Sequence, residues 1–150
     1  MKKLATVLTA IVMLLTSTAF ALSEEDVSTT VKSSFKTDFS SAKKVSWEKV
    51  SDFYFASFTL DNVNVDAAYN EAGELVGTSR KIEVSQLPLA VSLSLSQQFG
   101  DYTVSPRVNE LTYDGSTCYY ITAGNDKQVV KLKCHSNGEI NVDSRVKNRG

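Results

Sequence analysis

The stretch Phe53-Tyr-Phe-Ala-Ser-Phe-Thr-Leu-Asp-Asn-Val-Asn-Val-Asp-Ala-Ala-Tyr69 decides the fold. Placing Asp61-Asn62 in a two-residue turn sets Leu60 opposite Val63, Phe58 opposite Val65, Ala56 opposite Ala67 and Tyr54 opposite Tyr69. Side chains alternate along a strand, so these eight share one face and make it apolar. Asp and Asn tolerate the positive φ angles that such a turn requires. The other face then carries Phe53, Phe55, Ser57, Thr59, Asn64, Asp66, Ala68 and Asn70. That mixture suits a sheet with one side open to water. Glu71-Ala72-Gly73 turns the chain into a further strand over about Glu74 to Val84.

The hairpin is written a second time. Cys118 to Cys134 is followed by His135-Ser-Asn-Gly-Glu-Ile140, and Gly73-Glu74-Leu75 falls on Gly138-Glu139-Ile140 at an offset of 65. The same offset pairs Tyr54 with Tyr119, Asp61 with Asp126, Val65 with Val130 and Ser79-Arg80 with Ser144-Arg145.

Working outward, Ser23-Glu24-Glu25-Asp26 reads as a helix start: a Ser cap, then carboxylates where the helix dipole favours them. Val27, Val31, Phe35 and Phe39 draw an apolar stripe on a helix of roughly Glu24 to Ser40. Val45 and Trp47 alternate with Ser46 and Glu48 in a strand over about Lys44 to Val50, and both are expected to face the core. Leu87-Pro88 opens a second helix, with Pro in the first turn where its missing N–H does no harm. Val91, Leu95 and Phe99 match Val27, Val31 and Phe35 at an offset of 64, so one inserted residue, as a bulge, separates helix from hairpin. Thr103 to Tyr113 is a strand with a bend at Pro106, Asp114-Gly115 is a turn, and Glu139 to about Lys147 is the last strand. The expected class is α+β: tandem α-β-β-β-β units, about 24–84 and 86–147, with an antiparallel meander sheet and helices packed on one face.

Composition sets the outer limits. The 150 residues are 42% hydrophobic and 22% charged, enough for one core but not for two large domains. Lys2-Lys3, the apolar run Leu4 to Leu15 and Ala19-Phe20-Ala21 form a secretory signal peptide over residues 1–21. The apolar run is too short to span a bilayer, and no membrane contact is expected once the signal is removed. Cleavage after Ala21 leaves a single domain over 22–150, exported to the periplasm or secreted. Losing Lys2 and Lys3 lowers the basic residues from 16 to 14 against 17 acidic ones, a net charge of about −3 that argues against a nucleic-acid partner. Arg145, Lys147 and Arg149 read as a solvated strand end.

Several of these residues resemble the PepSY-like family of secreted bacterial proteins, grouped with β-lactamase-inhibitor-like proteins. The matching positions are Phe35 and Phe39 before Val45-Ser46-Trp47, the run Tyr54 to Phe58, Ala67-Ala68-Tyr69 with Gly73, and Leu87-Pro88 with Val91. The second half repeats them through Tyr119, Ile121, Val130, Leu132 and Gly138, with Thr112 or a neighbour where the first half has Trp. The resemblance implies an exported, non-enzymatic binding or regulatory module with helices on one sheet face. The group name implies inhibition of a peptidase or related enzyme, which fold alone does not decide.

No catalytic set is evident. The chain holds one His, His135, and two Cys, Cys118 and Cys134. With the second turn at Asp126-Lys127, Cys134 faces Tyr119 and points inward while Cys118 faces His135 and points outward, which keeps the two thiols apart. A one-residue shift around Asn125 would instead set Cys118 opposite Cys134, and an oxidising compartment favours that disulfide. A Cys118–His135 pair alone offers a thiol and a base but too few ligands for zinc. Neither a cofactor nor a metal is expected. Phe53, Phe55 and Tyr120 fall on the face away from the core and form the candidate partner-binding face for an envelope protein or peptide. The alternative is a carrier that holds a small apolar ligand between sheet and helices. The partner's identity and the oligomeric state are not readable from these residues.

Overall fold

The computed structural model describes residues 21–148. Its strands are β1 (Ala21–Leu22), β2 (Lys43–Val50), β3 (Phe53–Leu60), β4 (Val63–Asn70), β5 (Leu75–Glu83), β6 (Thr103–Val104), β7 (Arg107–Tyr113), β8 (Ser116–Gly124), β9 (Gln128–His135) and β10 (Ile140–Lys147). Its helices are α1 (Thr29–Asp38) and α2 (Leu89–Gln98). The class is α+β, an antiparallel meander with helices. Two compact units meet in sequence between Ser79 and Arg80, inside β5. Of the signal peptide, residues 1–20 lie outside the described residues, as does Arg149. Ala21 is described: it pairs with Glu48, and Leu22 with Trp47.

In the first unit the strands follow the order β1-β2-β3-β4-β5. The hairpin β3–β4 has the expected register, Leu60 with Val63 through to Tyr54 with Tyr69. Asp61 (φ 48°) and Asn62 (φ 65°) form the turn, both left-handed, which matches the twist of the flanking strands. Val27, Val31 and Phe35 bury against Trp47, Tyr54, Ala56, Phe58, Val65, Ala67 and Tyr69, the helix side of the sheet. Gly73 (φ 79°) brings the β4–β5 turn under α1; a Cβ there would lie 2.9 Å from Ser34 Oγ and Thr30 Cγ2.

Two expectations fail in this unit. The helix starts five residues later than the acidic run suggests. Glu24–Asp26 is a single 3-10 turn, and Ser28 is the cap, accepting the Val31 N–H at 3.2 Å. Ser23 instead donates its hydroxyl to Asp26 at 2.6 Å. Val45 does not share the burial of Trp47: it is 39% exposed against 5%. A bulge between Lys43 and Ser46, with Lys44 at φ 54°, shifts the alternation there.

The second unit repeats the plan, with order β5-β7-β8-β9-β10 and β6 on β8. Ile82, Leu87, Val91, Leu95, Phe99, Val108, Tyr119, Ile121, Ala123, Val130, Leu132 and Cys134 form its core. The correspondence between helices is corrected from 64 to 60, pairing Val31 with Val91, Phe35 with Leu95 and Phe39 with Phe99. The caps fix it: Phe39 N–H donates to Phe35 O, and Phe99 N–H to Leu95 O, each at 2.8 Å. A stripe repeating every fourth residue matches itself when slid by one turn, so spacing alone leaves the register undetermined.

Five residues, not one, therefore enter between helix and hairpin. One enters where β6 breaks from β7 at Ser105-Pro106, because Pro supplies no N–H to the ladder. Four more lengthen the next hairpin. Leu111 pairs with Cys118 where Val50 pairs with Phe53, and two further pairs, Thr112–Thr117 and Tyr113–Ser116, precede the turn. Val108, not Thr112 or a neighbour of it, takes the place of Trp47.

Candidate functional site

Each unit has a strand side away from its own helix, and the sequence-predicted contact residues fall there: Phe53 and Phe55 in the first unit, Tyr120 in the second. In the first unit Phe53 stands opposite Asn70, and Phe55 opposite Ala68. Phe55 and Ala68 are only 2% and 1% exposed, so Phe55 is covered and offers no surface to a partner. Its aromatic bulk belongs to packing; Phe53 alone remains half-buried at the strand end. Further along these strands the face is polar. The Ser57 hydroxyl donates to Asp66 Oδ1 at 2.5 Å and the Ser79 hydroxyl to Oδ2 at 3.4 Å. Glu48 pairs in register with Phe55, and its carboxyl is pushed above the usual range by partial burial and then by the Asp66 charge.

In the second unit the same side carries Cys118 opposite His135 and Tyr120 opposite Lys133. Tyr120 is half-buried, and burial, then Cys118 and Asp143, raise its phenol above the ordinary value. Lys133, His135 and Tyr120 sit on neighbouring strands, so this side presents a cation, an imidazole and a phenol together.

Of the two cysteine arrangements, the structure takes the register that keeps the thiols apart, without the disulfide. Cys118 and Cys134 are both free. Cys118 pairs with His135 and Cys134 with Tyr119, so the two thiols point to opposite sides of the ribbon. The register holds because the Asn125 side chain closes the β8–β9 turn, accepting the N–H groups of Lys127 and Gln128 at 3.0 and 3.1 Å. Cys118 Sγ lies 3.4 Å from His135 Nδ1. Cys134 is fully buried, and burial pushes its thiol up to about 11. No group of three His, Cys, Asp or Glu capable of holding a metal occurs among the described residues.

On the helix side of the first unit lies a cleft the sequence reading missed. Glu24, Lys32, Phe35, Lys36, Phe39, Ser40, Ala42, Val45 and Trp47 line about 240 Å³. Its volume falls short of the roughly 300–1,000 Å³ of sites for drug-sized ligands. Among the described residues no helix is long and apolar enough to cross a membrane.

Neither the protein-family models nor the curated proteins match this chain. Solved structures do. A BLIP-like protein from Bacteroides fragilis aligns with a TM-score of 0.68 at 20% identity, over 82% of this chain and 89% of that one. A candidate periplasmic protein from Bacteroides eggerthii aligns at 0.67 and 17%, over 81% and 88%. A DUF2874 family protein from Bacteroides uniformis aligns at 0.66 and 15%, over 80% and 88%. At these identities the likeness is one of fold: this chain has the fold of these Bacteroides proteins, one of them BLIP-like.

Proposed function

We propose that the protein is an exported, non-enzymatic module that binds another protein or peptide through the strand side away from its helices. PepSY-like membership and action as an inhibitor of a peptidase or related enzyme are the finer form of the same reading. The observation that carries it is the nearly full-length fold match to a BLIP-like protein, together with the candidate periplasmic protein among the same neighbours. The chemistry of the face agrees. Phe53 in the first unit and Tyr120, opposite Lys133, in the second are the partly open aromatics, and such residues anchor protein interfaces.

The test is affinity capture of envelope proteins on the immobilised protein, followed by titration of each purified captured partner. Phe53→Ser, Tyr120→Ser and Lys133→Glu are compared with the parent. A partner lost at least tenfold in two of the three variants, with unchanged circular dichroism, supports this face. Capture that all three variants retain at full strength removes it. Enzymatic assays of the captured partner with and without the module then separate inhibition from simple binding.

A further inference from the structure

We infer that the cleft between α1 and β2 is a binding site for a small aromatic carboxylate. It lies in the first unit, on the helix side, and is independent of the face proposed above. Its floor is aromatic. The Phe35 ring lies 5.1 Å from Trp47 in an edge-on contact and 5.6 Å from Phe39. Trp47 and Phe35 are almost fully buried and line the cleft together with Phe39. Its volume of about 240 Å³ exceeds the roughly 150 Å³ that admits a benzene ring. One ring with a short substituent fits.

The rim fixes the charge. Lys32 and Lys36 lie one turn apart on α1. The Lys32 ammonium reaches the Glu24 carbonyl at 3.1 Å, and Lys36 has no ion-pair partner among the described residues. Glu24 is the one carboxylate on the rim, so the cations outnumber it. An anion carried on an aromatic ring matches both floor and rim.

The second unit carries different residues at these positions. Under the correspondence of 60, Ala42 maps onto Tyr102, Lys32 onto Ser92, Lys36 onto Ser96 and Glu24 onto Val84. The backbone is the same at both turns: Ala42 N–H donates to Phe39 O, and Tyr102 N–H to Phe99 O, each at 3.0 Å. Tyr102 packs on Phe99 at 5.3 Å and accepts the Gln128 side-chain N–H through its hydroxyl. Thus the first unit has an alanine where the second has a ring, and both rim cations appear only beside the alanine. Four differences converge on one cleft.

Trp47 is the only Trp of the chain, so its fluorescence reports occupancy directly. The full chain is titrated with phenylacetate, with phenylacetamide as the neutral control. The expected result is a saturable change in Trp47 emission with phenylacetate and at least a tenfold weaker response to the amide. Lys36→Glu weakens binding tenfold or more, and Glu24→Gln strengthens it a few fold. Ala42→Tyr, which copies Tyr102, abolishes it. Lys36→Glu is at an exposed position and tests the site even where Ala42→Tyr does not fold. Peptides ending in Phe, with free or amidated C-termini, form the last arm. Binding of the free-acid peptide identifies chain ends as the source of the ligand; binding of phenylacetate alone identifies a free acid. Absence of a saturable change, equal response to the amide, or full binding by folded Ala42→Tyr overturns the proposal.

Discussion

The two units hold one backbone plan with opposite choices of side chain. In the first, the centre of the sheet is small, Ala56 and Ala67, and the periphery is aromatic, Phe35, Trp47, Phe58 and Tyr69. In the second, the centre is large, Ile121 and Leu132, and the matched periphery is Leu95, Val108, Ala123 and Cys134. Interiors are close-packed, so a volume removed at one position must return at another. The pairing of Phe58 and Ala42 against Ala123 and Tyr102 is the plainest instance. In the first unit the strand supplies the ring that meets Phe39 at 4.7 Å, tilted by 48°; in the second the turn after the helix supplies the ring that meets Phe99. A core is specified by summed volume on a face, and the distribution within it is free to vary.

That reading can be broken at Phe58. Phe58→Ala should cost about 3–5 kcal/mol, since the residue is 3% exposed and touches both Phe35 and Phe39. Adding Ala42→Tyr reproduces the arrangement of the second unit and should recover at least about 1 kcal/mol of the loss. Urea denaturation of the two single variants and the double variant measures the coupling. Strict additivity would mean that the two sites do not share volume.

A smaller effect sharpens the comparison at the turn glycines. Gly73 and Gly138 sit at matched places with φ 79° and 93°. A Cβ at Gly138 would lie 2.8 Å from the Ala90 carbonyl oxygen, a backbone atom of α2 that cannot step aside. At Gly73 the two atoms at 2.9 Å belong to the Ser34 and Thr30 side chains, and the nearest backbone atom, the Thr30 carbonyl oxygen, is farther, at 3.2 Å. Gly138→Ala should therefore cost about 2–4 kcal/mol and Gly73→Ala about 1–2 kcal/mol. Gly115→Ala, with nothing within 4 Å, should cost about 1 kcal/mol from its φ alone. Thermal melts of the three variants should rank in that order.

These contrasts also mark what the residues disclosed in advance. Register was legible wherever a turn and an apolar face agreed, as at Asp61-Asn62 and at Asp126-Lys127, where opposition of Cys118 to His135 follows from the same logic. Helix placement was not, because a four-residue stripe fits two registers and Ser23 and Ser28 are both good caps. The candidate face was legible as a side of the sheet but not as a surface. Alternation says which way Phe55 points, and only tertiary cover says that it is buried. The cleft was invisible because its lining comes from α1, the turn after it and β2, and no local pattern joins those residues.

The smallest expected effect concerns Tyr69 and Cys134, which occupy the same place in the two cores. Both are fully buried, and burial raises the pKa of each, suppressing ionisation; at Tyr69 the hydrogen bond to Asp38, 2.8 Å, adds to it. A raised folded value means that the neutral form is the one the fold holds. The stability it contributes is present below the unfolded value and is lost as pH rises toward the folded one. For Cys134 that window runs from 9.0 to about 11, and for Tyr69 it opens at 10.0. Alkaline denaturation should begin in the second unit's core. Cys134→Ala, at a cost of about 1 kcal/mol at pH 7, should flatten stability between pH 9 and 11. Tyr69→Phe should leave that limb in place and flatten only the decline above pH 10. Alkylation at pH 8 gives an independent check. Intact mass should show two thiols without reductant, with Cys118 labelled in the folded protein and Cys134 only after denaturation. A single fast-labelling population at both positions would mean that Cys134 is not held inside, and the matched-position argument would fail with it.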